Sequence, residues 1–173
     1  DDLRRDIAIL DIDAWATQTG ATYGTGFEHT GYFNRKYIPR KRSTSAQGDL
    51  NLTNPNNYRA IRFADVLLMS AEALNRGSIS DSRAQLHLNR VRRRAFGDLL
   101  HDISTTGAAL TEDIYKERRL ELVGEGHRFF DLVRTGRAAS EIDGFISGKH
   151  ELFPIPDIEI QLTGNRWAQN PGY

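Results

Sequence analysis

Three glutamates, Glu117, Glu121 and Glu125, recur at four-residue intervals in a stretch that is nearly half charged, Glu117 to Arg134. On a helix that spacing stacks carboxylates on one face, roughly 6 Å apart at Cβ. Two carboxyls at such a separation are the equipment of a glycoside hydrolase, one serving as acid and one as base or nucleophile. The neighbours argue otherwise. Arg118 lies three residues before Glu121 and Arg128 three after Glu125, and a guanidinium at that distance holds a carboxyl ionised and unfit to donate a proton. Perturbed carboxylates in ion-pair networks are commoner than catalytic ones. The better reading is a structural network of Arg62, Glu72, Glu117, Arg118, Arg119, Glu121, Glu125, Arg128, Asp131 and Arg134, with no catalytic residue among them. Arginine suits that task because its planar fork grips a carboxylate two-handed.

A second group of residues could do recognition chemistry. Trp15, Tyr23, Phe27, Tyr32, Phe33 and Tyr37 crowd the first part of the chain. Sugar rings present C–H faces that lie on aromatic rings, and a tryptophan or tyrosine is amphipathic with little rotamer freedom to lose. Trp15, Tyr23 and Tyr32 are the candidate ligand contacts, with Asp13, Asn34 and Arg35 close by in sequence. Metal chemistry has little support. The chain has no cysteine, and His29, His87, His101, His127 and His150 show no ligand spacing. Asp11 and Asp13 lack the further oxygen donors that a calcium loop needs. No cofactor is expected.

These residues need helices to hold them. From about Thr111 to Val123, the residues Leu110, Ile114, Tyr115, Leu120, Leu122 and Val123 point nearly all round the axis, as in a buried helix. Its charges must then be carried into poorly solvated surroundings and paired there. Gly124 and Gly126 break it, and a short helix follows to Arg134. A long helix from Arg59 or Ile61 to Arg76 has a wide apolar face, a polar stripe that would pair Arg62 with Asp65 and Glu72 with Arg76, and Gly77 as a left-handed cap. Ser80 caps a helix from Asp81 to about Ala95, with Ala84, Leu88, Val91 and Ala95 in one stripe. Together these two predict a tetratricopeptide-like hairpin, with Arg90 and Arg94 facing the Glu117–Glu125 carboxylates.

The fold class expected is mainly α: that hairpin, further helices, and a loop-rich amino-terminal region with short strands. Arg5–Asp13 and Tyr32–Pro39 are the strand candidates. Thr17–Gly31 and Arg40–Asn57 are loops by composition. Residues 1–57 form the candidate ligand or partner surface and residues 58–173 the helical region. Leu152 to Pro156 is extended because of its prolines. Asp157–Leu162 reads as either a strand or one helical turn.

Composition excludes several functions. Lys plus Arg and Asp plus Glu are each 23, so no net charge draws the chain to nucleic acid. The run Arg90, Arg92, Arg93, Arg94 lacks the interleaved aromatics of a single-strand binder. No apolar stretch of about 18 residues exists to span a bilayer.

Three ordered blocks carry a resemblance. Glu117-Arg118-Arg119-Leu120-Glu121-Leu122 continues into Glu125-Gly126-His127-Arg128-Phe129-Phe130-Asp131-Leu132-Val133-Arg134. Ile61-Arg62-Phe63-Ala64-Asp65-Val66-Leu67-Leu68 leads to Ala71-Glu72-Ala73. Leu152-Phe153-Pro154-Ile155-Pro156 precedes a closing Asn170-Pro171-Gly172-Tyr173. Over residues 58–173 the chain resembles the carboxyl-terminal part of the SusD/RagB family. The resemblance implies a non-catalytic binder of glycans or other nutrients on the outer-membrane surface. It implies delivery to a SusC-like TonB-dependent transporter, and a helical turn at Asp157–Leu162. It also implies that the chain is part of a longer protein, whose remaining amino-terminal portion is a partner of this one and carries the lipid anchor. The competing readings are a tetratricopeptide-like protein-interaction module and a glycoside hydrolase.

Overall fold

The computed structural model describes residues 2–38 and 57–173. The expected loop over Arg40–Asn57 thus lies almost wholly outside the described residues. The chain divides into two compact units, Asp1–Glu125 and Gly126–Tyr173.

In the first unit the centre is a helical hairpin, α3 (Phe63–Arg76) and α4 (Asp81–Phe96), with α5 (Gly107–Glu121) laid against it. Ala64, Leu67, Leu68, Ala71 and Leu74 of α3 meet Ala84, Leu88 and Val91 of α4 and Leu110 and Ile114 of α5. Alanines at the contact let the backbones approach, and each fully buried leucine contributes about 1.5–3 kcal/mol. Ser80 caps α4 as its position predicts, accepting from the Arg83 amide at 3.3 Å.

The turn between α3 and α4 differs from expectation. Gly77 has φ −76°, and the left-handed residue is Ser78, at φ 53°. Glycine is required at 77 for closeness: a Cβ there would lie 2.7 Å from the Ala73 carbonyl oxygen. The following residues satisfy the helix end, with the Ile79 amide donating to Leu74 O at 2.9 Å.

α5 also begins a turn earlier than Thr111. Partners from the hairpin fix this start. Asp81 accepts the Gly107 amide at 2.7 Å, and the Asn75 side chain donates to Gly107 O at 3.1 Å and accepts from the Thr111 hydroxyl at 2.6 Å. Nor is α5 apolar all round. Its buried residues are Leu110, Ile114, Glu117, Arg118 and Glu121, while Leu120 and Val123 are well exposed. One buried stripe therefore changes along the helix from aliphatic to acidic. Asn89 ties down the connector before α5, donating to Ile103 O and accepting from its amide.

The amino-terminal segment is more helical than expected. α1 (Arg4–Ala8) and α2 (Ile12–Thr19) flank a strand of only three residues, β1 (Ile9–Asp11). Asp11 stops the strand by capping α2, accepting from the Ala14 amide at 3.0 Å. β1 pairs antiparallel with β2 (Tyr32–Asn34), Leu10 opposite Phe33. A 3₁₀ turn, Arg35–Tyr37, follows.

The second unit holds α6 (Arg128–Arg134), α7 (Ala138–Glu141) and α8 (Asp157–Leu162), the last being the helical alternative for that segment. Gln169 brackets the Ile155 amide and carbonyl, each at 2.8 Å, and Asn170 donates to Phe153 O at 2.6 Å, so the tail clasps the proline segment. The molecule is mainly α-helical, with one two-stranded sheet among the described residues.

An alanine at a residue with φ −76° ordinarily stabilises by about 0.4–1 kcal/mol. Gly77→Ala is expected instead to destabilise by about 1–3 kcal/mol in urea unfolding, because its methyl group meets backbone.

Candidate functional site

The acidic end of α5 is held by cations from α1, the 3₁₀ turn, the residue before α3, and α4. Glu117, fully buried, accepts from Arg4 at 2.5 Å and Arg92 at 2.7 Å. Glu121 accepts from Arg94 at 2.5 Å, Arg62 at 3.0 Å and Arg4 at 3.1 Å. Glu125 takes both arms of Arg62, each at 2.7 Å, and Lys36 at 2.5 Å. Arg4 bridges the first two carboxylates and Arg62 the last two. The result is one continuous chain from Arg92 to Lys36. Beside it, Arg118 and Asp65 form a separate buried pair at 2.8 Å.

Local backbone supports this geometry. Leu122 closes α5, and Gly124 at φ 74° turns the chain so that Glu125 comes back toward Arg62. Asn34 donates to Gly124 O at 2.6 Å, so closely that any Cβ at 124 would collide with it. Lys36 Nζ and Arg62 Nη2 both donate to Glu121 O, satisfying a carbonyl at the negative end of α5.

These contacts fix the protonation states. Burial pushes the Glu121 carboxyl up, but hydrogen bonds from Arg94, Arg62 and Arg4 outweigh it and hold it below the ordinary range. Glu125 is lowered in the same way, Arg62 and Lys36 outweighing burial. The Arg62 guanidinium is raised, first by its bond to Glu125. A general acid needs the opposite shift. This arrangement can neutralise charge and fix elements; it is poorly suited to proton transfer.

The predicted network residues do not all converge. Glu117, Glu121, Glu125 and Arg62 share one cluster. Asp65 goes to Arg118 rather than to Arg62. Glu72 pairs with Arg76 at 3.0 Å further along α3, Arg119 is exposed and joins none of these pairs, and Arg90 stacks on the Phe63 ring at 4.9 Å. Arg128 pairs with Glu141, and Asp131 with Arg134 at 2.7 Å, within the second unit. Sequence reasoning missed Arg4, Lys36 and Arg92. Arg4 is 113 residues from Glu117 and Lys36 is 89 from Glu125, so no helical spacing could reveal them.

The three aromatic candidates are likewise dispersed. Trp15 lies on α2, 38% exposed, and lines a cleft of about 360 Å³ with Leu10, Arg35 and Ile38. Tyr32 lies on β2, 61% exposed. Tyr23 donates its hydroxyl to Asp13 and stacks on His29 at 5.5 Å. A groove of about 720 Å³ opens beside Glu121, which lines it together with Arg4, Arg35, Lys36, Arg59, Arg62 and Arg94 among aliphatic side chains. No cluster of His, Asp and Glu able to hold a metal occurs among the described residues. None of their helices is long and apolar enough to cross a membrane.

Comparison with known proteins decides the family. The pattern of the SusD family matches residues 13–151. The chain belongs to the SusD family. Among SusD-like relatives, protein P2 of Formosa agariphila is 31% identical over 156 residues, 81% of this chain and 31% of that protein. A SusD-like protein of Bacteroides ovatus is 36% identical over 118 residues, 67% of this chain and 18% of that one. A SusD homolog from Bacteroides thetaiotaomicron superimposes with a TM-score of 0.70 at 28% identity, over 99% of this chain and 41% of that one. A structure from Bacteroides vulgatus, described as a proposed sugar binding protein, does so at 0.61 and 26% identity, over 82% of this chain and 33% of that one. This SusD-family chain thus spans about a third of the length of P2.

Glu121→Gln leaves three cations sharing a neutral amide and is expected to cost on the order of 3–5 kcal/mol of unfolding free energy. Acid should act on the same contacts. Glu121 and Glu125 bind protons more weakly folded than unfolded, so the unfolded chain takes up more protons as pH falls. Stability from them is full above the unfolded pKa of about 4.3 and is lost as pH drops through the lower folded values. Urea midpoints measured from pH 7 to pH 3 should be level at first and then decline.

Proposed function

We propose that this chain serves non-catalytic capture of glycans or other nutrients on the outer-membrane surface, and their delivery to a SusC-like TonB-dependent transporter. The protein would be lipid-anchored through a portion outside this chain. The observation that carries the reading is the state of the carboxylates. Every member of the buried cluster Glu117, Glu121 and Glu125 is clasped by two or three cations, so the residues that would have made a hydrolase are occupied in holding the fold. Family membership and the sugar-binding description of the B. vulgatus neighbour point the same way. The aromatic side chains of the amino-terminal segment supply surfaces of the right kind: Trp15 in its cleft and Tyr32 on β2, both open to solvent. Tyr23 would contribute through its ring, since its hydroxyl is engaged by Asp13.

A tetratricopeptide-like interaction module would need a concave face of several stacked repeats. The described residues hold one hairpin of that kind.

Calorimetric titration of the full-length protein with a panel of oligosaccharides tests the reading. Binding without turnover is expected, and Trp15→Ala should raise Kd about 10–100-fold, that is by about 1.4–2.8 kcal/mol, with the fold unchanged. Hydrolysis of any bound glycan, or tight peptide binding with none to sugars, would overturn it.

A further inference from the structure

The cleft at Trp15 carries a guanidinium, Arg35, that forms no salt bridge among the described residues, although the Asp6 carboxylate feels its charge. Among the described residues Arg35 lines this cleft with Leu10, Trp15 and Ile38 and no carboxylate. The side-chain bond seen for Arg35 runs from Nη1 to the Asp6 carbonyl oxygen at 2.9 Å, a neutral acceptor. A guanidinium has five N–H groups, and one carbonyl leaves most of that fork for something else. Asp6 itself is taken by Arg5 at 2.7 Å. Asp11 is engaged in capping α2 and Asp13 by the Tyr23 hydroxyl.

Arg35 also belongs to the wall of the larger groove, and the same imbalance continues there. Arg4, Lys36, Arg62, Arg92 and Arg94 share Asp2, Glu117, Glu121 and Glu125. Arg59, like Arg35, donates to a backbone carbonyl, that of Lys36, while its guanidinium lies 5.3 Å from the Tyr37 ring centre. Among the described residues that line the groove six are cationic and one, Glu121, is acidic. In a chain with no net charge, this is a local positive field focused on a concave surface.

We propose that the Trp15–Arg35 cleft binds a sugar ring bearing an anionic substituent, a carboxylate or a sulfate ester. This rests on the glycan-capture reading above. The C–H face of the ring lies on the Trp15 indole, and the anionic group takes the free edge of the Arg35 fork, which matches two oxygens in one plane. The aliphatic walls, Leu10 and Ile38, exclude water and strengthen that contact. A neutral sugar would leave the guanidinium facing apolar walls with no anion to meet it, so the site selects by charge as well as by ring.

The test uses the full-length protein and three oligosaccharides matched in length: one neutral, one carrying uronate and one carrying sulfate ester. Binding is read by calorimetry and by Trp15 emission, with Trp15→Phe identifying that signal. The unmodified protein should bind at least one anionic ligand more tightly than the neutral one, with affinity falling as salt is raised. Which anionic arm binds tells carboxylate from sulfate. Arg35→Gln should weaken anionic binding about tenfold or more, the loss of one charge-assisted hydrogen bond, and leave neutral binding where it was. Arg35→Lys should recover part of it. Should Arg35→Gln fail to fold, the salt dependence and the neutral–anionic comparison on the unmodified protein decide alone. Equal affinity for neutral and anionic ligands, without salt dependence, overturns the charge assignment and leaves glycan capture standing. No binding to any of a wide glycan panel overturns both.

Discussion

Three carboxylates leave water when α5 packs against the hairpin, and each must find positive charge as it does so. Moving an isolated carboxylate into the interior costs several kcal/mol even after relaxation. Glu117 is fully buried and Glu121 and Glu125 nearly so. The cations that offset this come from α1, the 3₁₀ turn, the residue before α3, and α4. A single ion pair fixes two side chains; this chain of bridges fixes five segments at once. Because Arg4 and Arg62 each serve two glutamates, the ordering of one arginine supports two contacts. That lowers the conformational cost per bridge.

The consequence for function is indirect. Asn34 is bonded to Gly124 O and Lys36 to Glu121 O, so β2 and the 3₁₀ turn are anchored to the end of α5 on either side of Arg35. β1 and α2 follow from α1, which Arg4 pins to Glu117. Trp15 and Arg35 therefore sit on elements whose positions the charge network sets. A binding surface on such supports loses little freedom when a ligand arrives.

Much of this was legible in sequence and some was not. The hairpin was: apolar residues at helical spacing, Ser80 as a cap and a glycine at the turn define it with no tertiary information. The carboxylate cluster was half legible. Spacing puts Glu117, Glu121 and Glu125 on one face, but partners distant in the chain leave no local trace. Arg119 was misjudged because α5 is buried on one stripe rather than all round, which leaves 119 in solvent. The start of α5 was missed because its caps come from Asn75 and Asp81, on other helices. The short β1 strand could not be separated from the helices around it, since Arg5–Asp13 is apolar at intervals that suit either state.

The charge network depends on Glu121 and Glu125 being structural members held ionised by their cations at neutral pH. Carbon-13 NMR titration of the Glu121 and Glu125 side-chain carboxyls in the folded protein tests that directly. Midpoints below the ordinary glutamate range are predicted for both. A midpoint well above that range for either, as a proton donor requires, would contradict the account and return these residues to catalysis.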